Sequence, residues 1–190
     1  MRTITAVAVA AALALTGLPA RGELTREVKD RALKVIALLE KLERDKARNP
    51  ARPGGSATVS EAELNAWIAY RIETEGERYV RSCELRLQDG NRAEGKLVLD
   101  LSRTPAAAFL ASEAELFFSA TAETEQGKIR ITMEKLFLGS QRLSPAFLDT
   151  VIGIVAGLEG QPAQGLHDWH PLPYGIQRLE SQAGRLICHY

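Results

Sequence analysis

The sequence has little cysteine, little histidine and no net charge. Its 190 residues include two cysteines and three histidines, and 24 basic side chains balance 24 acidic ones. A balanced chain has no net field to attract nucleic acid or an anionic membrane surface, which disfavours nucleic acid as a partner. Phosphate-binding loops, dinucleotide fingerprints and a G-x-S-x-G elbow are also missing from the sequence. Because these motifs are absent, the sequence gives no support for an enzymatic function, a catalytic residue or a cofactor.

The first apolar run of the chain has the features of an export signal. Arg2 supplies a positive start, an apolar stretch runs from Ala6 to Leu15, and small residues follow Pro19. The run is shorter than the ~20 residues of a membrane-spanning helix, which disfavours an uncleaved anchor. Because no cysteine follows the apolar stretch directly, a lipid-anchored lipoprotein is not expected.

We therefore predict a signal peptide over residues 1–22, with cleavage after Ala20 or after Gly22. The remaining stretch, 23–190, has the size of one domain, since domains commonly contain ~100–200 residues. The predicted location is the periplasm or the medium.

The two cysteines, Cys83 and Cys188, lie far apart in the sequence. An even number of cysteines in an oxidising compartment favours one disulfide, and two buried free thiols are the alternative. Alternation places Cys83 on the same strand face as Leu85 and Cys188 on the same face as Leu186. Both side chains can therefore point inward, as a bridge requires.

Two helices are predicted in the first half of the chain. The first is amphipathic and ends at the prolines and glycines that follow Asn49, where we expect a flexible linker. Ser60 and Glu63 then form a capping box that begins a second helix, which runs to about Thr74. The apolar positions are Leu24, Val28, Ala32, Val35, Leu39 and Leu42 in the first helix, and Leu64, Ile68 and Ile72 in the second.

The middle of the chain has the period of two that is typical of β-strands. Asp89-Gly90-Asn91 and Gln126-Gly127 have turn chemistry, so each predicts a hairpin. Leu136 is out of phase with Ile131, which predicts a bulge near Glu134. Two short strands are expected around 176–179 and 186–190, and the chain is assigned to the α+β class.

A third helix is predicted to begin at Ser144-Pro145. Apolar residues surround it on every side, so each side must meet something apolar. Small residues at Ala114 and Ala120, beside Leu116 and Phe118, leave room on one strand face. Such a face fits a ligand cavity and an ordinary packed core equally well. The apolar residues of the helix are Phe147, Leu148, Val151, Ile152, Ile154, Val155 and Leu158.

A weak metal-like cluster occurs at His167, Asp168 and His170. A zinc site needs three or four converging ligands on a fixed frame, whereas this H-x-x-H lies in a proline-rich loop. We therefore predict no metal, and a hydrolase or metalloprotein that uses this loop is the weakest of the functional alternatives.

Three short motifs resemble bacterial exported proteins of the YpmS and LmeA-like groups, which are of the tubular lipid-binding (TULIP-like) type. The first is S-x-x-E-L-N at the start of a helix, the second is a glycine and a proline after a strand, and the third is LP-x-G before the last hairpin. The matching residues are Ser60, Glu63, Leu64 and Asn65, then Leu138, Gly139, Pro145 and Leu148, then Leu172, Pro173, Gly175 and Ile176.

The resemblance implies a curved antiparallel sheet wrapped around a helix, with an apolar groove for acyl chains. We accordingly predict a non-catalytic exported protein that binds a phospholipid or similar amphiphile and makes transient membrane contact. The alternative is an envelope module that binds another protein. The candidate groove residues are Leu116, Phe118, Phe147, Val151, Ile154 and Val155.

Overall fold

A computed structural model describes residues 24–48, 54–75, 79–102, 112–144, 146–158 and 165–190. Within 146–158 it does not describe the side chains at positions 148, 151, 154, 155, 157 and 158. The predicted signal peptide and Pro145 lie outside the described residues.

The described chain contains three helices and nine strands. The helices are α1 (Arg26–Arg48), α2 (Glu61–Glu75) and α3 (Ala146–Leu158). The strands are β1 (Ser56–Ser60), β2 (Val80–Gln88), β3 (Arg92–Asp100), β4 (Glu113–Glu125), β5 (Lys128–Leu138), β6 (Gln141–Arg142), β7 (His170–Pro171), β8 (Arg178–Gln182) and β9 (Arg185–His189).

The strands form two antiparallel sheets that share one apolar core. The large sheet has the order β2-β3-β4-β5-β6, with β7 also paired to β5, and the small sheet has the order β1-β9-β8. The large sheet is strongly curled into a half-barrel, and its inner face carries buried apolar residues such as Leu85, Leu97 and Leu116. The α+β class and the curved sheet are thus confirmed.

Helices α1 and α2 pack on each other, and each buries part of its predicted apolar stripe. Ala32, Val35 and Leu42 are the buried residues of α1, while Leu64 and Ile68 are buried in α2. The capping box is present, because the amide of Ser60 donates to Glu63 Oε2 at 3.0 Å and the amide of Glu63 donates to Ser60 Oγ at 3.3 Å. The predicted helices are confirmed.

The prediction of a flexible linker before α2 is wrong for residues 56–60. This segment is strand β1, which pairs along its whole length with β9, from Ser56 opposite His189 to Ser60 opposite Arg185. Only Val59 among its residues is fully buried. A strand so short and so exposed has no apolar alternation to reveal it, since its stability comes from a partner at the other end of the chain.

The hairpins and the bulge are confirmed. Gln126 and Gly127 have φ angles of 48° and 71°, as the two-residue turn between Glu125 and Lys128 requires. The loop between Gln88 and Arg92 has three residues, and its Gly90 and Asn91 have φ angles of 76° and 59°. Between β4 and β5, the register shifts because Ser119 pairs with Lys135 and Ala120 with Met133. The extra residue is Glu134, at the predicted position.

Helix α2 closes the outer edge of β2 with side chains. The amide group of Asn65 donates to the carbonyl of Leu85 and accepts from its N–H, both at 2.8 Å. One turn earlier, Glu61 Oε2 accepts the N–H of Leu87 at 2.6 Å. These two side chains satisfy backbone groups that an edge strand would otherwise leave unpaired.

Candidate functional site

The inner face of the half-barrel is the first part of the candidate site. Leu116 and Phe118 lie on this face, as predicted, and their exposed fractions are 0% and 4%. The ring of Phe118 lies directly over Gly95 on the neighbouring strand, so a Cβ at that position would overlap the ring. Both candidate groove residues are therefore packed core residues, which an acyl chain can reach only if the packing opens.

Helix α3 is the second part of the site. Asp149 and Thr150 are the two polar members of its 13 residues. Phe147 and Ile152 are half-buried and pack against the core, and Ala156 is buried. Phe147, a candidate groove residue, thus contacts the core, whereas the side chains of the other three candidates on α3, Val151, Ile154 and Val155, lie outside the described residues.

A small cavity lies where the two sheets meet, away from α3. Its volume is about 30 Å³, and the walls are mainly apolar, including Ala93, Ala120 and Ile129 of the large sheet and Leu179 and Leu186 of the small one. This space suffices for about one water-sized group. The predicted room beside Ala120 therefore exists, but it is far too small for an acyl chain.

The segment that follows α3 ties this helix to the edge of β5. Asp149 Oδ1 accepts the amide of Leu166 at 3.1 Å, and the carbonyl of Leu166 accepts the amide of Ile131 at 2.9 Å. The Leu166 side chain is itself buried. One residue thus links α3 to the sheet through both of its backbone polar groups, and we call this link, formed by Asp149, Leu166 and Ile131, the α3 clasp.

Two further side chains hold the turn that carries the clasp. Asp168 Oδ2 accepts the amide of Gly165 at 2.9 Å, and His170 Nε2 lies 2.9 Å from the carbonyl oxygen of Gly165. Because a carbonyl only accepts, Nε2 carries the hydrogen in this contact. His170 is buried and pairs with Ile129 in the β7–β5 ladder. Its evident role is to fix the turn.

The H-x-x-H pair does not converge on one point. His167 is exposed, whereas His170 is buried and holds Gly165. Within the described ranges, no three His, Cys, Asp or Glu side chains cluster closely enough to hold a metal ion. The two histidines are close in sequence, but the turn leaves the side chain of His167 in solvent and buries that of His170.

The predicted disulfide is not present. Cys83 lies on β2 of the large sheet and Cys188 on β9 of the small sheet, and the two buried side chains are not joined by a disulfide. Alternation correctly placed both side chains inward, but a bridge also needs the two Cα atoms within ~4.4–6.8 Å, which alternation does not address. Burial raises the pKa of Cys188 from 9.0 to about 11. It also raises the pKa of Cys83, to which the nearby Glu84 contributes.

Cations lie over both tryptophans at the surface. The guanidinium of Arg130 is 4.9 Å from the ring centre of Trp169, and that of Arg71 is 5.6 Å from the ring centre of Trp67. Hydrogen bonding to Glu123 raises the pKa of Arg130. Both rings are half-buried, and Trp67 also packs against the apolar core.

In the part of the chain that the structure describes, no helix has the length and apolar character needed to cross a membrane. Compared with known protein families, with curated proteins and with solved structures, the chain shows no significant match.

Proposed function

We propose that this protein binds a phospholipid or similar amphiphile without catalysing a reaction, and that the acyl chain packs between α3 and the inner face of the half-barrel. The observation that carries the proposal is that an almost wholly apolar helix packs, through Phe147 and Ile152, against the apolar core to which the inner face of the sheet contributes. Each acyl methylene buried there would contribute about 0.8 kcal/mol.

The attachments of α3 support its role as the element that moves. Among the described contacts, the polar link between α3 and the sheet is the α3 clasp. The hydroxyl of Thr150 donates within its own helix, to the carbonyl of Ala146 at 3.1 Å. A Cβ at Gly153 would meet no atom within 4 Å. A helix held in this way can shift outward while the sheet keeps its hydrogen bonds, and the space it leaves is apolar.

The resemblance to the YpmS and LmeA-like groups supports the same function, since those proteins are of a lipid-binding type with an antiparallel sheet curled around a helix. The motif that carries part of this resemblance has a clear structural role here, because Ser60 and Glu63 cap α2 while Asn65 closes the edge of β2. The proposal includes export of this protein to the periplasm or the medium.

The proposal is tested by lipid occupancy and lipid uptake. Native mass spectrometry of the protein purified from the exported fraction should show bound lipid, and the purified protein should take up a fluorescent fatty acid. Ile152→Asn should weaken uptake about tenfold or more, because it places an amide against the acyl chain. Leu33→Asn, the same change at an exposed leucine of α1, should leave uptake unchanged. Absence of both bound lipid and uptake in the unmodified protein would refute the proposal.

A protein-binding module is the second candidate, and the small size of the cavity favours it. A core that is nearly filled can still offer α3 to an apolar segment of another envelope protein. Crosslinking in cells, followed by purification, would then yield one stoichiometric protein partner and a lipid-free interior. That result would replace the lipid proposal.

A further inference from the structure

The inner face of the large sheet consists of cross-strand rows, and the size of their side chains changes along the strands. Direct cross-strand partners project to the same face and lie close together. From β2 to β5, the first row contains Cys83, Leu97, Leu116 and Leu138, the second Leu85, Gly95, Phe118 and Leu136, and the third Leu87, Ala93, Ala120 and Met133. The face therefore changes from a row with three leucines, through one aromatic ring beside a glycine, to a row with two alanines.

The side chain of Phe118 covers two strands in the second row. Its ring lies over Gly95, in the space that the Cβ atom of any other residue would occupy. Leu85 and Leu136, at the two ends of this row, are fully buried. The ring therefore separates the first row from the third, and we call Phe118 together with Gly95 the aromatic barrier.

The apolar cavity between the two sheets lies on the third-row side of the aromatic barrier. Leu87, Ala93 and Ala120 of the third row line it, together with Leu179 and Leu186 of the small sheet. Its volume is about 30 Å³, which suits one group of the size of a methyl group. The cavity exists beside the barrier because the two alanines leave the middle of the third row unfilled.

The chain enters α3 from the other side of the barrier. Strand β6, which precedes α3, pairs with Leu138, the partner of Leu116 in the first row. The amide of Leu143 then donates to the carbonyl of Leu136 at 2.8 Å, so the chain leaves the sheet beside the first two rows. An acyl chain that lies along Leu116 therefore meets the ring of Phe118 before it can reach the cavity.

We propose that Phe118 limits the length of the acyl chain that this protein accepts, and that Gly95 positions its ring for this role. The inference rests on the proposed function, since it concerns the same space between α3 and the inner face. A chain whose methyl end touches the ring buries each methylene before that point, whereas the further methylenes of a longer chain find no apolar space and add little affinity. The preferred ligand is therefore an amphiphile whose acyl chain has a limited length.

Displacement of a bound fluorescent fatty acid by unlabelled acids, from octanoic to stearic acid, tests this limit. In the unmodified protein, affinity should rise with chain length and then level off within the series. Phe118→Leu opens the way to the cavity, so affinity should keep rising for longer acids, by about fourfold for each additional buried methylene. Adding Ala120→Leu to this variant fills the cavity, and the affinity should again level off at the original acid.

Phe117→Leu is the matched control, because Phe117 is the preceding residue of β4 and therefore points to the outer face, where it is 36% exposed. This control should leave the affinity series unchanged. Gly95→Ala is a second test that retains Phe118, since the added methyl group displaces the ring and the affinity should level off at a different acid. It keeps the inference testable if Phe118→Leu does not fold.

Methyl NMR locates the end of the bound chain. Stearic acid should shift the methyl signals of Leu179 and Leu186, which line the cavity, in Phe118→Leu but not in the unmodified protein. Affinity that rises steadily to stearic acid in the unmodified protein, or a series that neither Phe118→Leu nor Gly95→Ala alters, would overturn the length limit and leave the proposed groove in place. A protein that takes up no fatty acid at all would refute the groove and the length limit together.

Discussion

Asp149 accepts a hydrogen bond from the amide of Leu166, and this bond joins an apolar helix to the rim of a curled sheet. The two residues are 17 positions apart in sequence. Leu166 is also bonded to β5 through its carbonyl. We therefore expect the strength of this link to affect how readily α3 separates from the core.

Removing the Asp149 carboxylate should loosen α3. Asp149→Ala leaves the Leu166 amide without its acceptor, and we expect a loss of about 1 kcal/mol, the usual net value of one hydrogen bond. Backbone amides of α3 should then exchange several-fold faster with deuterated solvent, and fatty-acid uptake should become faster. Thr150→Ala is the control, because the hydroxyl of Thr150 donates to the carbonyl of Ala146 in the same helix. Unchanged exchange in Asp149→Ala would contradict the role given to the clasp.

Two glycines should respond to alanine in opposite ways. Gly95→Ala forces a methyl group into the ring of Phe118, and overpacking of this kind costs about 1–3 kcal/mol. Gly153→Ala meets open space in the interior of α3, so it should stabilise the helix by about 0.5–1 kcal/mol. Urea unfolding of both variants measures the two effects. If the two substitutions shifted the midpoint in the same direction, the packing described for Gly95 or for α3 would be wrong.

The capping box of α2 should make stability fall in acid. The backbone and hydroxyl hydrogen bonds of Ser60 hold the pKa of Glu63 below its ordinary value of 4.5. A lowered folded-state pKa stabilises the fold above the ordinary value, and this contribution is lost as the pH falls through the lowered one. Glu63→Gln should therefore be less stable than the unmodified protein at neutral pH, and the difference should shrink below pH 4.5.

Glu73→Gln is the control for this titration, since Glu73 is exposed on the same helix. Its stability should follow that of the unmodified protein at each pH. A difference between Glu63→Gln and the unmodified protein that stays constant from neutral pH into acid would show that the carboxylate charge plays no part in the cap.

The thiols should be buried, reduced and sensitive to alkali. Two thiols per chain should react after unfolding, and few should react in the native protein. Because the folded-state pKa of Cys188 is raised from 9.0 to about 11, the stability it supports is complete below 9.0 and declines as the pH rises from 9.0 toward 11. Cys188→Ala should reduce this decline by up to about 1.4 kcal/mol per pH unit. An absence of reactive thiols after unfolding would show that Cys83 and Cys188 form the disulfide predicted from the sequence.

Local chemistry predicted much of the fold. Turn residues such as Gly90 and Gly127 located both hairpins, apolar spacing located α1 and α2, and a break in phase located the bulge at Glu134. Each of these signals is contained within a few neighbouring residues. The sequence pattern therefore suffices wherever one element determines its own geometry.

Contacts between distant residues were beyond such patterns. Strand β1 depends on β9, more than a hundred residues later. The bonds of Asn65 to Leu85 and of Asp149 to Leu166 depend on how whole elements pack. The alignment of Phe117 with Phe137 on one face of the large sheet required the register between β4 and β5. The candidate site is formed by these long-range relations, so its apolar character was predictable but its closed packing was not.

The side chain of Asn65 has a consequence for the behaviour of the protein at high concentration. By bonding both backbone groups of Leu85, it occupies the place where the strand of a second molecule could add to the sheet and begin a growing aggregate. Glu61 likewise accepts the N–H of Leu87. The helix that follows the capping box thus disfavours growth of the half-barrel along β2 into an edge-to-edge aggregate.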